Sequence, residues 1–297
     1  MRFRSVRLPH DLAAVDGLFA LAEECDGHRP IGEHKYLDLL HSDPTEVVGM
    51  VGEDTTGEIA AYAALSEFAD GVWGLEMALH PLHRSPANLR ALIRAAVDEA
   101  ASREGRVVRA WAFQPNLAAE LERCGFENER ELRQIRIALP VRETPSFPDT
   151  IDVRPFRPDL DEDAWLEVNN RAFAGHPENG EWTRPVLDDR KQQGWWDPDG
   201  FRMAWEGDRI VGFCWTKLHA DAVGEIYVIA VDPDEQGRGL GRALALEGLR
   251  YLAVVHGCIE GMLYVDAFNA PANALYDSLG FRLDHVDRSY TLTIAPG

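Results

Sequence analysis

The strongest constraint on this chain is that it repeats itself. Three landmarks recur in the same order: His80-Pro81 and Asp232-Pro233, Asn116 and Asn269, and Cys124-Gly125-Phe126 and Leu279-Gly280-Phe281. Their offsets are 152, 153 and 155 residues. One such pair is trivial, but three in order, with flanking segments of similar character, imply a tandem duplication. Both copies open on a short alternating strand, Phe3-Arg4-Ser5-Val6-Arg7-Leu8 and Ile151-Asp152-Val153-Arg154-Pro155-Phe156. The Pro-containing stretch Leu139 to Pro148 lies between the copies, where prolines remove backbone donors and favour extended or turn conformations. At 297 residues the chain also exceeds the usual size of one hydrophobic core. The expected division is therefore 1–140, a linker at 141–150, and 151–297.

Composition narrows the function. With 45% hydrophobic and 27% charged residues, the chain has the make-up of a soluble globular protein. A net charge of -20 would repel a phosphate backbone, which excludes nucleic acid as an expected partner. A few local amides and cations can still hold a small phosphorylated cofactor, because distant charge is screened. Cys25, Cys124, Cys214 and Cys258 show no metal-ligand spacing; they read as buried free thiols, and no metal is expected. The basic N-terminus lacks the apolar run of a secretory signal, and no stretch approaches the ~18 apolar residues of a membrane span. The expectation is a cytoplasmic protein with no membrane partner.

Each copy reads as strand, helical segment, two or three strands, helix, strand, helix, strand, an α+β unit with a mixed sheet. In the second copy, Phe201 to Trp205 and Arg209 to Trp215 flank a Glu206-Gly207-Asp208 turn as a hairpin. An apolar strand up to Val231 then runs through Asp232-Pro233 into Gln236-Gly237-Arg238-Gly239-Leu240-Gly241, which opens a helix. Glycines admit close approach of a pyrophosphate, while free N–H groups and the helix dipole attract it; Arg238 and Arg242 can add charge. Alone, such a turn is weak evidence of binding, since many only join a strand to a helix. Trp182, Trp195, Trp196 and Trp205 read as core or pocket wall.

The strand, loop and helix resemble motif A of the GNAT acetyltransferase superfamily. Asn269 to Phe281 reproduces the N-x-x-A-x-x-x-Y-x-x-x-G-F pattern of its motif B. The resemblance implies two tandem GNAT domains, each with a splayed mixed sheet flanked by helices, and acetyl-CoA as co-substrate. It implies that the strand backbone at Ile229, Ala230 and Val231 pairs with the pantetheine arm. Gln236, Gly237, Arg238, Gly239, Leu240, Gly241 and Arg242 would then hold the pyrophosphate, and Asn269, Ala270, Pro271, Ala272, Asn273 and Ala274 the far side of the cleft.

Further segments are similar to the mycothiol synthase family of tandem GNAT enzymes: Gly32-Glu33, Arg130 to Arg136, His176-Pro177-Glu178, Trp215-Thr216-Lys217, Gly224 to Val228 and Leu263-Tyr264-Val265. That likeness implies acetylation of the cysteinyl amine of a cysteine-glucosamine-inositol acceptor. Such an amine has a reference pKa of about 7.7 to 8.0, so a modest base suffices. By the resemblance Glu225 is that base and Tyr276 the acid for the departing thiolate, with amides near Val231 polarising the carbonyl. Glu33, Glu178, Lys217, Glu225 and Tyr264 would contact the acceptor.

The first copy departs from the pattern. Its counterpart of the cofactor loop, His83 to Arg90, has no glycine, so it is expected to have lost catalysis, which puts cofactor binding through Met77, Ala78 and Leu79 in doubt. Phe268, next to Asn269, is a second departure and has no account. Other readings stay open from sequence: a tandem GNAT acting on an aminoglycoside, a polyamine or a peptide N-terminus, or a non-catalytic acyl-CoA-binding sensor. An internal duplication supplies within one chain the pairing that dimers obtain between chains, so a monomer is expected.

Overall fold

The structure is a computed structural model and describes residues 1–7, 10–27, 30–31, 47–112, 115–176 and 179–294. The chain forms two compact units, Met1–Leu132 with Val286–Gly297, and Arg133–His285. The first contains β1 (Arg2–Ser5), α1 (Leu12–Asp26), β2 (Val47–Glu53), β3 (Ile59–Ala69), β4 (Val72–Leu79), α2 (Pro86–Ser102), β5 (Val107–Ala112), α3 (Pro115–Arg123) and the start of β6 (Glu127–Ala138). The second contains the rest of β6, then β7 (Ile151–Pro155), α4 (Glu162–Ala172), α5 (Arg184–Lys191), β8 (Phe201–Glu206), β9 (Arg209–Leu218), β10 (Val223–Val231), α6 (Leu240–Val255), β11 (Glu260–Asp266), α7 (Ala270–Leu279) and the start of β12 (Arg282–Thr293).

In the first unit the strands lie in the order β1-β2-β3-β4-β5-β12, and in the second β6-β11-β10-β9-β8-β7. Both sheets are mixed: β4 with β5 and β10 with β11 are parallel, and their hairpin neighbours antiparallel. The tandem α+β reading therefore stands. The unit boundaries depart from chain order, because β12 passes from the second unit into the first at Val286, and Arg288 to Thr293 pair with β5. Leu139, Val141 and Phe147 of the Pro-containing stretch pack against the core of the second unit, and Leu139 N–H donates to Ile259 O at 2.8 Å.

Period-two alternation sends successive side chains to opposite sheet faces. On β3, Ala61, Ala63 and Leu65 join the core under α2 and α3, while Tyr62 and Ala64 join the smaller core under α1. On β9 and β10, Cys214, Ile226, Ile229 and Val231 face Leu240, Leu244 and Tyr276. Phe213, Trp215, Tyr227 and Val228 face Trp165 and Leu187 instead. All four tryptophans of the predicted cluster belong to this aromatic core. The cysteines depart from expectation: Cys214 and Cys258 are buried, but Cys124 is half-buried and Cys25 exposed at the end of α1.

A duplicated ion pair ties β1 to the start of α1 and β7 to the start of α4. Arg4 Nη1 donates to Asp11 at 2.6 Å and Arg154 Nη1 to Asp161 at 2.8 Å. Both aspartates are buried and also accept a backbone N–H, from Arg7 at 2.7 Å and Arg157 at 2.9 Å. Burial alone would raise the Asp161 carboxyl, but the hydrogen bonds from Arg157 and Arg154 outweigh it and hold the group at about 2. A carboxyl lowered on folding stabilises above its unfolded value of 3.8, and that contribution disappears as pH falls through about 2. Asp161→Asn is therefore expected to cost about 2 kcal/mol at neutral pH. In urea unfolding followed against pH, the gap to the unsubstituted chain should close between about pH 4 and pH 2.

Candidate active site

The site lies where β10 and β11 part. Parallel pairing runs over Val223↔Glu260, Gly224↔Gly261 and Glu225↔Met262 and ends there, although β10 continues to Val231 and β11 to Asp266. From Val228 to Val231, β10 remains paired only with β9 in the described registers, so its backbone toward β11 has no strand partner. A bulge at Tyr227 marks the change: Ile226 pairs Thr216 and Val228 pairs Trp215, leaving one extra residue on β10. Ile229, Ala230 and Val231 thus present a half-buried strand edge, a ready partner for an extended arm.

Beyond Val231, Asp232 closes a short 3-10 turn by accepting the N–H of Asp234 at 3.0 Å. Gly237 and Gly239 then take φ of 79° and 78°, left-handed values that glycine reaches without cost, and Gly239 caps α6. A Cβ on either would meet nothing within 4 Å, so the loop borders open space. Ala243 N–H closes the first turn on Gly239 O, so the amides before it are those that a helix N-terminus leaves without an intrahelical acceptor, a setting that suits an anion. The two cations have carboxylate partners within the chain. Arg238 is held by Glu206 at 2.9 Å and by Glu235, and Arg242 by Glu143 at 2.5 Å and Ser278 at 2.7 Å. Each arginine would have to leave a carboxylate to reach a phosphate.

On the opposite wall, the Asn269 side chain caps α7 by accepting Ala272 N–H at 3.2 Å. Asn273 Nδ2 donates to Asp266 O at 2.8 Å and Asn269 O at 2.7 Å, and its Oδ1 accepts from Arg133. Both asparagines hold helix to strand. The surface they leave toward solvent is Ala270, Pro271 and Ala274, with Ala272 half-buried.

Glu225 is buried on the aromatic face, directly opposite Lys217 of the neighbouring strand β9. The Lys217 ammonium stands 4.6 Å from the Trp195 ring centre and 5.4 Å from that of Tyr227. Tyr264 is exposed on β11, and alternation sets it on the side opposite Leu263 and Val265, hence with Glu225. Lys217, Glu225 and Tyr264 therefore share one face. At the end of that face, Asp266 lies 3.3 Å from His176 Nε2. Glu33 and Glu178 lie outside the described residues. Residue reasoning missed His219, whose Nε2 is 2.6 Å from Glu225 Oε2. The signal was present: Lys217 and His219 alternate onto the face that Glu225 occupies.

Tyr276 comes from the other face. It is buried among Leu240, Leu244 and Val265, with its ring 5.5 Å from Phe281. Burial, aided by the nearby Cys214 thiol, pushes its phenol well above the ordinary value. Base and acid candidates thus approach the parted strands from opposite sides of the sheet.

The same positions in the first unit are empty of such chemistry. Val231 pairs Gly212 as Leu79 pairs Ala61, and Ile226 pairs Thr216 as Leu75 pairs Leu65. Because β4 lacks the bulge, Glu225 corresponds to Gly74 and Lys217 to Ser66. Phe281 N–H donates to Tyr276 O at 3.1 Å, as Phe126 N–H does to Leu121 O at 3.1 Å, so Tyr276 corresponds to Leu121. In the counterpart loop, Pro86 has no N–H and Ser85 Oγ takes that of Asn88 at 3.2 Å. Arg84 Nε donates to Leu79 O at 3.0 Å and its Nη1 to Asp26 at 2.5 Å, occupying the strand edge that Val231 leaves open.

The acetyltransferase (GNAT) family model matches residues 162–281. The mycothiol acetyltransferase of Acidimicrobium ferrooxidans is 40% identical, covering 93% of this chain and 92% of that protein. That of Streptomyces coelicolor is 40% identical over 95% and 92%. The chain belongs to the mycothiol acetyltransferase family. It is a GNAT N-acetyltransferase, and GNAT acetyltransferases use acetyl-CoA. A GCN5-related N-acetyltransferase from Sphaerobacter thermophilus is similar at 26% identity and a TM-score of 0.75, covering 99% of this chain and 96% of that one. A tandem GNAT protein from the clavulanic acid biosynthesis pathway, 17% identical with a TM-score of 0.76, shares the fold across 100% and 99%.

Among the described residues, no group of three or more His, Cys, Asp or Glu is placed to hold a metal ion, and no helix is long and apolar enough to cross a membrane. The buried phenol of Tyr276 should keep its proton through the alkaline range. An ultraviolet difference titration of the protein against Tyr276→Phe is expected to be flat up to about pH 10, the ordinary tyrosine value; an added transition below it would contradict this environment.

Proposed function

We propose that this chain transfers the acetyl group of acetyl-CoA to the cysteinyl amine of the cysteine-glucosamine-inositol precursor of mycothiol, and that only the second unit performs the reaction. The observation that carries the proposal is the parting of β10 from β11 at Glu225, beside the exposed Gly237 and Gly239 amides. The open space at these glycines and the unpartnered edge from Val228 to Val231 fit a pyrophosphate and an extended thioester arm. When bound, acetyl-CoA supplies the activated acyl carbon.

The residues of this chain then do five things. The amides from Gly237 to Arg242 hold the diphosphate, and the Ile229 to Val231 edge aligns the arm with its carbonyl near Val231 N–H, which polarises it. Glu225 accepts the proton of the acceptor amine. Lys217, Tyr264 and, by family resemblance, Glu33 and Glu178 bind the hydroxyl-rich acceptor, whose oxygens suit carboxylate and ammonium partners. Tyr276 donates to the departing sulfur. A phenol with a raised pKa is a reluctant acid, but a thiolate in the same dry setting is disfavoured for the same reason, which restores the driving force.

The Lys217 ammonium beside Glu225 disfavours polycationic acceptors such as polyamines, because it adds like charge to the base's own face. We further propose that the chain works as a cytoplasmic monomer without nucleic-acid or membrane partners, in keeping with the net charge of -20 and the internal duplication. CoA release with the desacetylated mycothiol precursor, compared with simple amines, tests the acceptor; a simple amine outpacing the precursor would defeat the assignment. Glu225→Gln and Tyr276→Phe are each expected to lower kcat by about a hundredfold or more while leaving acetyl-CoA affinity within about twofold. Gly239→Ala should do the reverse. Its forced left-handed backbone costs about 1 to 2 kcal/mol, and its methyl enters the loop's open space. Acetyl-CoA affinity measured by calorimetry should therefore fall by about tenfold.

A further inference from the structure

The Glu225 carboxylate does not stand alone. His219 Nε2 lies 2.6 Å from its Oε2, with the imidazole 35% exposed and the carboxylate side chain 8%. The contact is built by the turn between β9 and β10. His219 N–H donates to Val223 O at 2.9 Å and Ile259 N–H to Ala222 O at 3.1 Å, pinning both sides of the loop. Asp221 and Ala222 both adopt left-handed backbone, with φ of 60° and 59°. Neither is glycine, so each carries backbone strain that the surrounding bonds must offset. Pairing with Val223 holds His219 in register, and alternation then sets its ring on the face of Glu225, two residues along β10.

A carboxylate withdrawn from water needs a donor, and one fixed donor also decides which oxygen is free. We propose that His219 is a positioning residue for acetyl transfer: its Nε2–H donates to Glu225 Oε2 and so presents Oε1 to the acceptor amine. The inference rests on the reading of Glu225 as the base. In the proton transfer the amine N–H bond breaks and an O–H bond forms on Oε1, while His219 keeps its own proton. Lys217 faces the same carboxylate from the neighbouring strand, but its ammonium stands over the Trp195 and Tyr227 rings, leaving the orienting hydrogen bond to the imidazole.

The test compares the unsubstituted chain with His219→Ala, His219→Gln, Glu225→Gln and the double variant Glu225→Gln/His219→Ala. Rates are measured by CoA release and folding by thermal unfolding. His219→Ala is expected to lower kcat by about tenfold or more, with KM for acetyl-CoA unchanged within about twofold. His219→Gln, whose amide N–H reaches the place of Nε2, should recover most of that loss. In the Glu225→Gln background, removing His219 should cost nothing further, since its effect passes through the carboxylate.

An equal loss from His219→Ala with and without Glu225 would overturn the inference, because the imidazole would then act independently. His219→Gln as slow as His219→Ala would overturn it also, by requiring a ring that takes up protons. If Glu225→Gln is slow while His219→Ala runs at the unsubstituted rate, the base assignment stands and the positioning role falls. If Glu225→Gln itself runs unimpaired, both fall together.

Discussion

The loss of hydrogen bonding between β10 and β11 after Glu225 is the constraint on which the site depends. Two parallel strands that separate leave a row of peptide groups on each without a partner, and in a buried sheet that is costly unless something else supplies the missing bonds. The bulge at Tyr227 lies beside the parting; it adds one residue to β10 and shifts its register with β9, and pairing with β9 resumes at Val228. It also keeps Tyr227 and Val228 on the same aromatic face, so the edge turns while the core beneath remains packed. The gap lies between the face that carries Glu225 and the face that carries Tyr276, the two residues proposed as base and acid.

The two units keep the same fold while differing at the positions where the second carries its candidate site residues. Both retain the Arg–Asp tie, the parted parallel strands and the same carbonyl bond at the end of the last helix. What differs is a missing bulge, a glycine in place of Glu225, a leucine in place of Tyr276, and a serine-capped helix start where the other unit leaves amides open. Arg84 completes the change by spending its guanidinium on Leu79 O and Asp26. The positions that hold the fold are thus shared by the two units, and the candidate site residues are not.

Much of this was legible in the residues. The repeat, the α+β class and the hairpin from Phe201 follow from periodicity and turn chemistry, and Gly237 and Gly239 adopt the left-handed backbone their loop required. The partners of the charged groups were not legible. Arg238 and Arg242 sit in the phosphate motif, yet Glu206 and Glu143, 32 and 99 residues away, hold them. The equivalence of Glu225 with Gly74 depends on a bulge, which no alternation pattern reveals because one inserted residue looks like a phase slip. Cys25 shows the limit of residue type as a guide to burial, since a thiol near a helix end faces water as readily as core.

The course of β12 bears on how the protein is made. The strand beside β5 in the first unit comes from Arg288 to Thr293, after the whole second unit in the chain. During synthesis, residues up to Leu132 emerge while that strand does not yet exist, and β5 waits with an open edge for on the order of 10 s at typical elongation rates. Arg109 on β5, together with Arg106 just before it, places cationic side chains along this waiting edge, a feature that discourages pairing with other nascent chains. The first unit to be translated is thus the last to be closed.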